Sequence, residues 1–167
     1  VIVRAAPDGL VIELADEADT ERLGHALAGL ATSGTVIALV GPLGAGKTRL
    51  VRAFAEARGV DPRAISSPTF VLHHVYEGQT SLIHHFDAYR LTGPGEFEAI
   101  GGLDQVDDDA LCLIEWADRV AEQIPAGAWW IELSPDPADP GSRRARLRLP
   151  AATASQLRIG LESPSFG

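Results

Sequence analysis

Gly41-Pro-Leu43-Gly44-Ala45-Gly46-Lys47-Thr48 matches the spacing G-x-x-x-x-G-K-T throughout. Each residue type in it has a chemical task. Gly41, Gly44 and Gly46 let the backbone take positive φ, so the N–H groups of a loop that also includes Leu43 and Ala45 can converge on one concavity. That concavity fits a phosphate. A helix opening at Thr48 adds unpaired N-terminal donors, Lys47 can reach the β and γ phosphates, and the Thr48 hydroxyl can bind Mg²⁺. The pattern therefore predicts a nucleoside triphosphate site. Lys47 is the only lysine among fourteen basic residues. A compact ammonium fits a phosphate cradle as a point charge, where a guanidinium fork is too wide.

Such a site needs a second carboxylate for Mg²⁺, normally at the C-terminal end of a buried strand. Two residues qualify. Glu115 ends Ala110-Leu-Cys-Leu-Ile114, the more apolar strand and so the better neighbour for the P-loop strand; it is assigned to the metal. Asp87 ends Leu82-Ile-His-His-Phe86 and is the candidate that orients or deprotonates an attacking water, against a structural pairing with Arg90. Glu17 lies in the first turn of the first helix, either as a solvated helix-start residue or as a nucleotide-side contact.

The elements that must carry these groups are legible from periodicity. Thr35 to Val40 reads as a buried strand ahead of the glycine turn, and Thr48 to Arg58 as the helix after it. Leu10 to Leu14 reads as a strand, and Asp16 opens a helix with Leu23, Ala26, Leu27 and Leu30 at helical spacing. Thr69 to Tyr76 and Ser81 to Tyr89 read as a hairpin around Glu77-Gly-Gln-Thr80. A two-residue-loop register sets His73 opposite His84; with no third ligand evident, these histidines read as packed or solvated rather than as a zinc site. Pro94 to Ile100 and Asp118 to Gln123 read as helical. Trp129 to Leu133 and Arg143 to Leu149 are late strands, followed by a short helix. The four arginines from Arg143 to Arg148 suggest a wet strand face or a charged edge. The pattern predicts an α/β fold, a three-layer P-loop NTPase-like domain with a mixed parallel/antiparallel sheet, spanning residues 1–167 as one domain.

Composition narrows the function classes. A net charge of −9 argues against a broad grip on the phosphate backbone of a nucleic acid. Cys112 is the only cysteine, which removes a disulfide framework and points to a reducing cytoplasm. No segment approaches 18 consecutive apolar residues, so no membrane span is expected.

Four motifs in order, Gly41 to Thr48, Ser66-Ser-Pro-Thr-Phe70, His85-Phe-Asp-Ala-Tyr-Arg-Leu91 and Ile114-Glu-Trp-Ala-Asp118, resemble the TsaE (YjeE) family across about residues 10 to 135. Ala88 stands where the family more often has leucine, a change expected to touch packing. The resemblance implies a bacterial ATPase, using ATP and Mg²⁺, that supports threonylcarbamoylation of the adenosine beside the anticodon. It implies binding to the transferase TsaD and its partner TsaB, with ATP binding and hydrolysis resetting that complex and tRNA engaged only indirectly. It carries phosphate and Mg²⁺ roles onto Lys47 and Thr48, a metal role onto Glu115, a catalytic role onto Asp87 and γ-phosphate sensing onto the Ser67-Pro-Thr69 loop. Two competing classes are a nucleotide-gated assembly module without essential hydrolysis and a small-molecule kinase.

Overall fold

The computed structural model describes residues 1–66, 72–139 and 141–163. In chain order its elements are β1 (Ile2–Ala6), β2 (Gly9–Leu14), α1 (Glu17–Leu30), β3 (Val36–Val40), α2 (Lys47–Ala57), β4 (His73–Glu77), β5 (Leu82–Asp87), α3 (Pro94–Ala99), β6 (Leu111–Glu115), β7 (Trp129–Pro135), β8 (Arg143–Arg148) and α4 (Ala151–Glu162). Short 3₁₀ turns cover Pro62–Ala64, Gly102–Gln105 and Ala117–Gln123. The strands form one sheet in the order β1-β2-β8-β7-β3-β6-β5-β4. Its centre, β7-β3-β6-β5, is parallel; β4 on one side and β8, β2 and β1 on the other pair antiparallel. The mixed three-layer α/β reading is thus the observed one.

Strands β3 and β6 are apolar on both faces because both faces are covered. Their side chains alternate between two cores. Ile37, Leu39, Leu111 and Leu113 join Leu23, Leu27, Leu50, Phe54, Leu157 and Leu161 of α1, α2 and α4. Ala38, Cys112 and Ile114 join Phe86, Phe97 and Val120 on the other side, under α3 and the Ala117–Gln123 turn. Helix α1 starts where Asp16 accepts from the Asp19 amide. It lies close on α2 because Gly24 has no side chain: a Cβ there would sit 2.8 Å from both Ala53 Cβ and Leu50 O.

Alternation then fixes which face each polar residue takes. Ile83 belongs to the α2-side core and Phe86 to the other, so His85 and Asp87 face α2 while His84 faces away. Leu111 and Leu113 put Glu115 on that same α2 side. Three polar residues from two neighbouring strands therefore reach the layer that carries the glycine turn.

Several boundaries and one register differ from the sequence expectation. Strand β1, a hairpin partner of β2, has too little periodicity in five half-exposed residues to be read. The β4–β5 turn holds four residues between Glu77 and Leu82, so His73 pairs Phe86 and Val75 pairs His84. The two-residue shift keeps every face unchanged, and His73 Nε2 still meets His84 Nδ1 diagonally at 3.0 Å. The expected strand start at Thr69 lies outside the described residues. Strand β8 sits between β2 and β7, so Arg144, Arg146 and Arg148 form a wet face and no edge.

Candidate functional site

The glycine turn joins β3 to α2 through three left-handed residues, Gly41 (φ 142°), Gly44 (φ 78°) and Gly46 (φ 104°). Gly41 could be nothing else: a Cβ there would lie 2.1 Å from the Leu133 carbonyl oxygen of β7. Gly44 faces open space, with no atom within 4 Å of a Cβ position. The loop borders a cleft of about 380 Å³ lined by Leu43, Gly44, Ala45, Gly46, Lys47 and Thr48, and by Glu17, Asp87, Glu115, Tyr89 and Trp116. Residues from four separate parts of the sequence thus share one cavity. Thr69 lies outside the described residues.

Lys47 is nearly enclosed, at 4% exposure. Its ammonium donates to the Gly41 carbonyl (2.6 Å) and the Pro42 carbonyl (3.0 Å) and stands 3.8 Å over the Trp116 ring. Burial pulls its pKa below the usual lysine value, while Glu115, Asp87 and Asp118 oppose that shift. The folded-back lysine closes on the mouth of its own loop, and an anion in the cradle would compete for it.

Thr48, in the first turn of α2, donates its hydroxyl to both oxygens of Glu115, at 3.0 and 2.9 Å. Hydroxyl and carboxylate are 67 residues apart in sequence. The pair suits Mg²⁺, which takes oxygen ligands, keeps several waters, and needs only one or two protein groups beside the phosphates it bridges. The residues present therefore fit both a triphosphate and its metal. Asp87 lies beside Glu115 in the parallel register. It is 4% exposed, and its Oδ1 accepts the Tyr89 amide at 2.9 Å, which fixes the carboxylate at the end of β5. Glu17 stands at the rim in an ion pair with Arg49 (2.7 Å).

Two site features escaped the sequence reading. Trp116, present in the sequence reading only within the Ile114 to Asp118 motif, takes a left-handed backbone (φ 57°), rare for a bulky residue. This turn after Glu115 places the indole over Lys47 and 4.9 Å from the Tyr89 ring. His85, given no site role by the sequence reading, is fully buried and bonds Glu115 Oε1 through Nε2 at 2.9 Å. Its two-residue spacing from Asp87 on one strand face was the available signal.

Residues 14–145 match the family profile described as "Threonylcarbamoyl adenosine biosynthesis protein TsaE". The chain belongs to the TsaE family. It is 41% identical over 107 residues to the tRNA threonylcarbamoyladenosine biosynthesis protein TsaE of Treponema pallidum, covering 64% of this chain and 78% of that protein. It is 36% identical over 107 residues to the Bacillus subtilis protein of the same description, covering 64% and 66%. The crystal structure of Bacillus subtilis YdiB shares the fold with a TM-score of 0.71 at 24% identity, over 96% of this chain and 97% of that one. The motifs that suggested TsaE in the sequence all lie within the matched span.

Proposed function

We propose that this TsaE-family chain binds ATP with Mg²⁺ in the cleft, hydrolyses it slowly alone, and uses that cycle to reset a TsaD–TsaB transferase complex during tRNA threonylcarbamoyladenosine synthesis. The observation that carries the nucleotide reading is the Thr48–Glu115 pair lining the same cleft as a glycine loop and the one lysine. A Mg²⁺ held by Thr48 and Glu115 would supply positive charge against the negative charge that develops on the phosphates.

The chain's own groups divide the remaining work. Backbone N–H groups of residues 43 to 48 and the α2 N-terminus receive the phosphates. Lys47 exchanges the Gly41 and Pro42 carbonyls for phosphate oxygens, and Trp116 walls that exchange off from water on one side. Thr48 and Glu115 would hold the metal. Asp87, adjacent to Glu115 and fixed by the Tyr89 amide, orients the attacking water. The partner assignment rests on family membership and the motif resemblance.

Paired variants test the division. Glu115→Gln should weaken Mg²⁺-dependent nucleotide binding, and Asp87→Asn should bind normally yet lose turnover. Phosphate release is measured with and without TsaD–TsaB. A folded Asp87→Asn that hydrolyses at the parental rate removes Asp87 from catalysis. Turnover that appears only with a small-molecule acceptor would make the protein a kinase, and binding without any turnover would make it a nucleotide-gated module.

A further inference from the structure

Beside Glu115 runs a largely buried line of polar groups that does not line the cleft. His85 Nε2 lies 2.9 Å from Glu115 Oε1, and His85 Nδ1 lies 3.3 Å from the Tyr76 hydroxyl. Tyr76 donates that hydroxyl to the Ser66 backbone carbonyl at 2.7 Å. His74 Nδ1 also approaches the Tyr76 oxygen at 3.3 Å and the Ser66 hydroxyl at 3.2 Å. His85 is 0% and Tyr76 5% exposed. The line crosses three adjacent strands, β6, β5 and β4, on the face toward α2.

Donor counting gives each member a role. An ionised carboxylate only accepts, so the ring proton that meets Glu115 sits on His85 Nε2. In the neutral imidazole Nδ1 is then an acceptor and can share the Tyr76 hydroxyl proton with the Ser66 carbonyl, which holds it at the shorter distance. Tyr76 is anchored on backbone, His85 is held between Tyr76 and Glu115, and the Glu115 carboxylate is held between His85 and Thr48. A carboxylate that ends a strand can otherwise turn about its side-chain torsions. Fixing Oε1 from behind selects the orientation in which its remaining lone pairs face the Thr48 side. Burial makes the arrangement consequential, because water cannot replace a lost partner there.

We infer that His85, supported by Tyr76, is a positioning residue for the metal-holding carboxylate and sets how strongly Mg²⁺ enhances nucleotide binding. This inference rests on the assignment of Glu115 to Mg²⁺. It predicts a signature different from general destabilisation: the Mg²⁺-dependent part of the affinity falls, while the Mg²⁺-free part, supplied by the glycine loop and Lys47, stays.

The test is titration of N-methylanthraniloyl-ATP, in Mg²⁺ and in EDTA, into the parent chain, Glu115→Gln, His85→Gln, His85→Phe and Tyr76→Phe. The readout is the ratio of the two dissociation constants. His85→Phe should lower the Mg²⁺ enhancement about tenfold, the lower end of what outer partners of metal ligands contribute. Its affinity in EDTA should match the parent. His85→Gln, which keeps a donor, should recover most of the enhancement, and Tyr76→Phe should lose a smaller part of it. If Glu115→Gln lowers the enhancement but folded His85→Phe keeps it, the positioning role is wrong and the metal assignment stands. Equal losses in Mg²⁺ and EDTA also overturn the role, since they indicate a purely structural residue. If Glu115→Gln keeps the parental enhancement, the metal assignment itself fails and takes the inference with it. Should His85→Phe not fold, Tyr76→Phe decides: a reduced ratio supports the role and a parental ratio overturns it.

Discussion

Removing the Lys47 ammonium should cost the site about 3 kcal/mol of ATP affinity, roughly a hundredfold in Kd. At about 4 Å from a phosphate oxygen and an effective dielectric near 20, one unit charge contributes about 4 kcal/mol per phosphate charge. Against that stand the contacts the ammonium gives up: its bonds to the Gly41 carbonyl at 2.6 Å and the Pro42 carbonyl at 3.0 Å. Charge-assisted bonds of this kind are each worth about 1.5 to 3 kcal/mol. The triphosphate offers more than one anionic oxygen, so the exchange leaves a net gain near the figure above. Lys47→Ala is the direct perturbation. Lys47→Arg should fail nearly as badly, because the guanidinium fork does not fit a space bounded by the loop and the Trp116 ring 3.8 Å away. Circular dichroism establishes that each variant is folded, and fluorescent-nucleotide titration in Mg²⁺ gives Kd. A folded Lys47→Ala with parental affinity would refute the phosphate assignment.

Gly41→Ala should destabilise the fold by about 2 to 4 kcal/mol, because it adds a Cβ that meets the Leu133 carbonyl at 2.1 Å in a left-handed backbone; an unchanged urea midpoint would contradict this. Trp116→Phe should remove most of any ATP-induced change in intrinsic fluorescence, since that indole alone covers Lys47 among the described residues; a full signal from Trp129 and Trp130 would contradict it. Burial, reinforced by His84, His74 and His85, lowers the His73 pKa from 6.5 to about 4. The unfolded chain therefore takes up a proton at His73 that the folded one refuses, so stability present above pH 6.5 is lost as pH falls toward 4; urea midpoints of His73→Phe should fall less across that window than the parent's, and parallel curves would refute it. The isolated chain should bind tRNA more weakly than micromolar at near-physiological salt, because the guanidinium groups of the β8 face are already engaged: Arg144 with Asp136 (3.3 Å), Arg146 with Asp8 (3.2 Å), Arg148 over Trp130 (5.6 Å); micromolar filter binding would mean that the protein grips RNA itself.

The central fold was legible because parallel strands buried on both faces must be apolar throughout, and β3 and β6 are. The flanking strands were harder. Strand β1 carries one polar and four apolar residues, half-exposed beside β2, so neither a clean alternation nor a continuous buried run marks it. The β4–β5 register depended on turn length, which Glu77-Gly-Gln-Thr-Ser-Leu82 does not specify. The error was two residues, an even shift that leaves faces intact, and so His73 and His84 still share one face. For β8, alternation identified the wet face, but its place between β2 and β7 is a tertiary fact that no local pattern encodes.

The site divides along the same line. Lys47 and Thr48 belong to a contiguous motif, and Glu115 and Asp87 announced themselves as carboxylates closing apolar strands. Parity explains why all four converge: Glu115 follows Leu111 and Leu113, Asp87 follows Ile83, and both series face the helix that begins at Lys47. The same parity includes His85 and excludes His84, through the two-residue spacing from Asp87, but a shared face does not by itself name a partner. What separates the two is a neighbour. His85 points toward Glu115, which has a lone pair to offer, and His84 toward the apolar side, where it meets His73 and where its Nε2 is buried without a hydrogen-bond partner among the described residues. A residue's chemistry here is decided by the strand beside it, and the β5–β6 pairing that sets Asp87 against Glu115 is the contact that turns an apolar strand end into a candidate metal site.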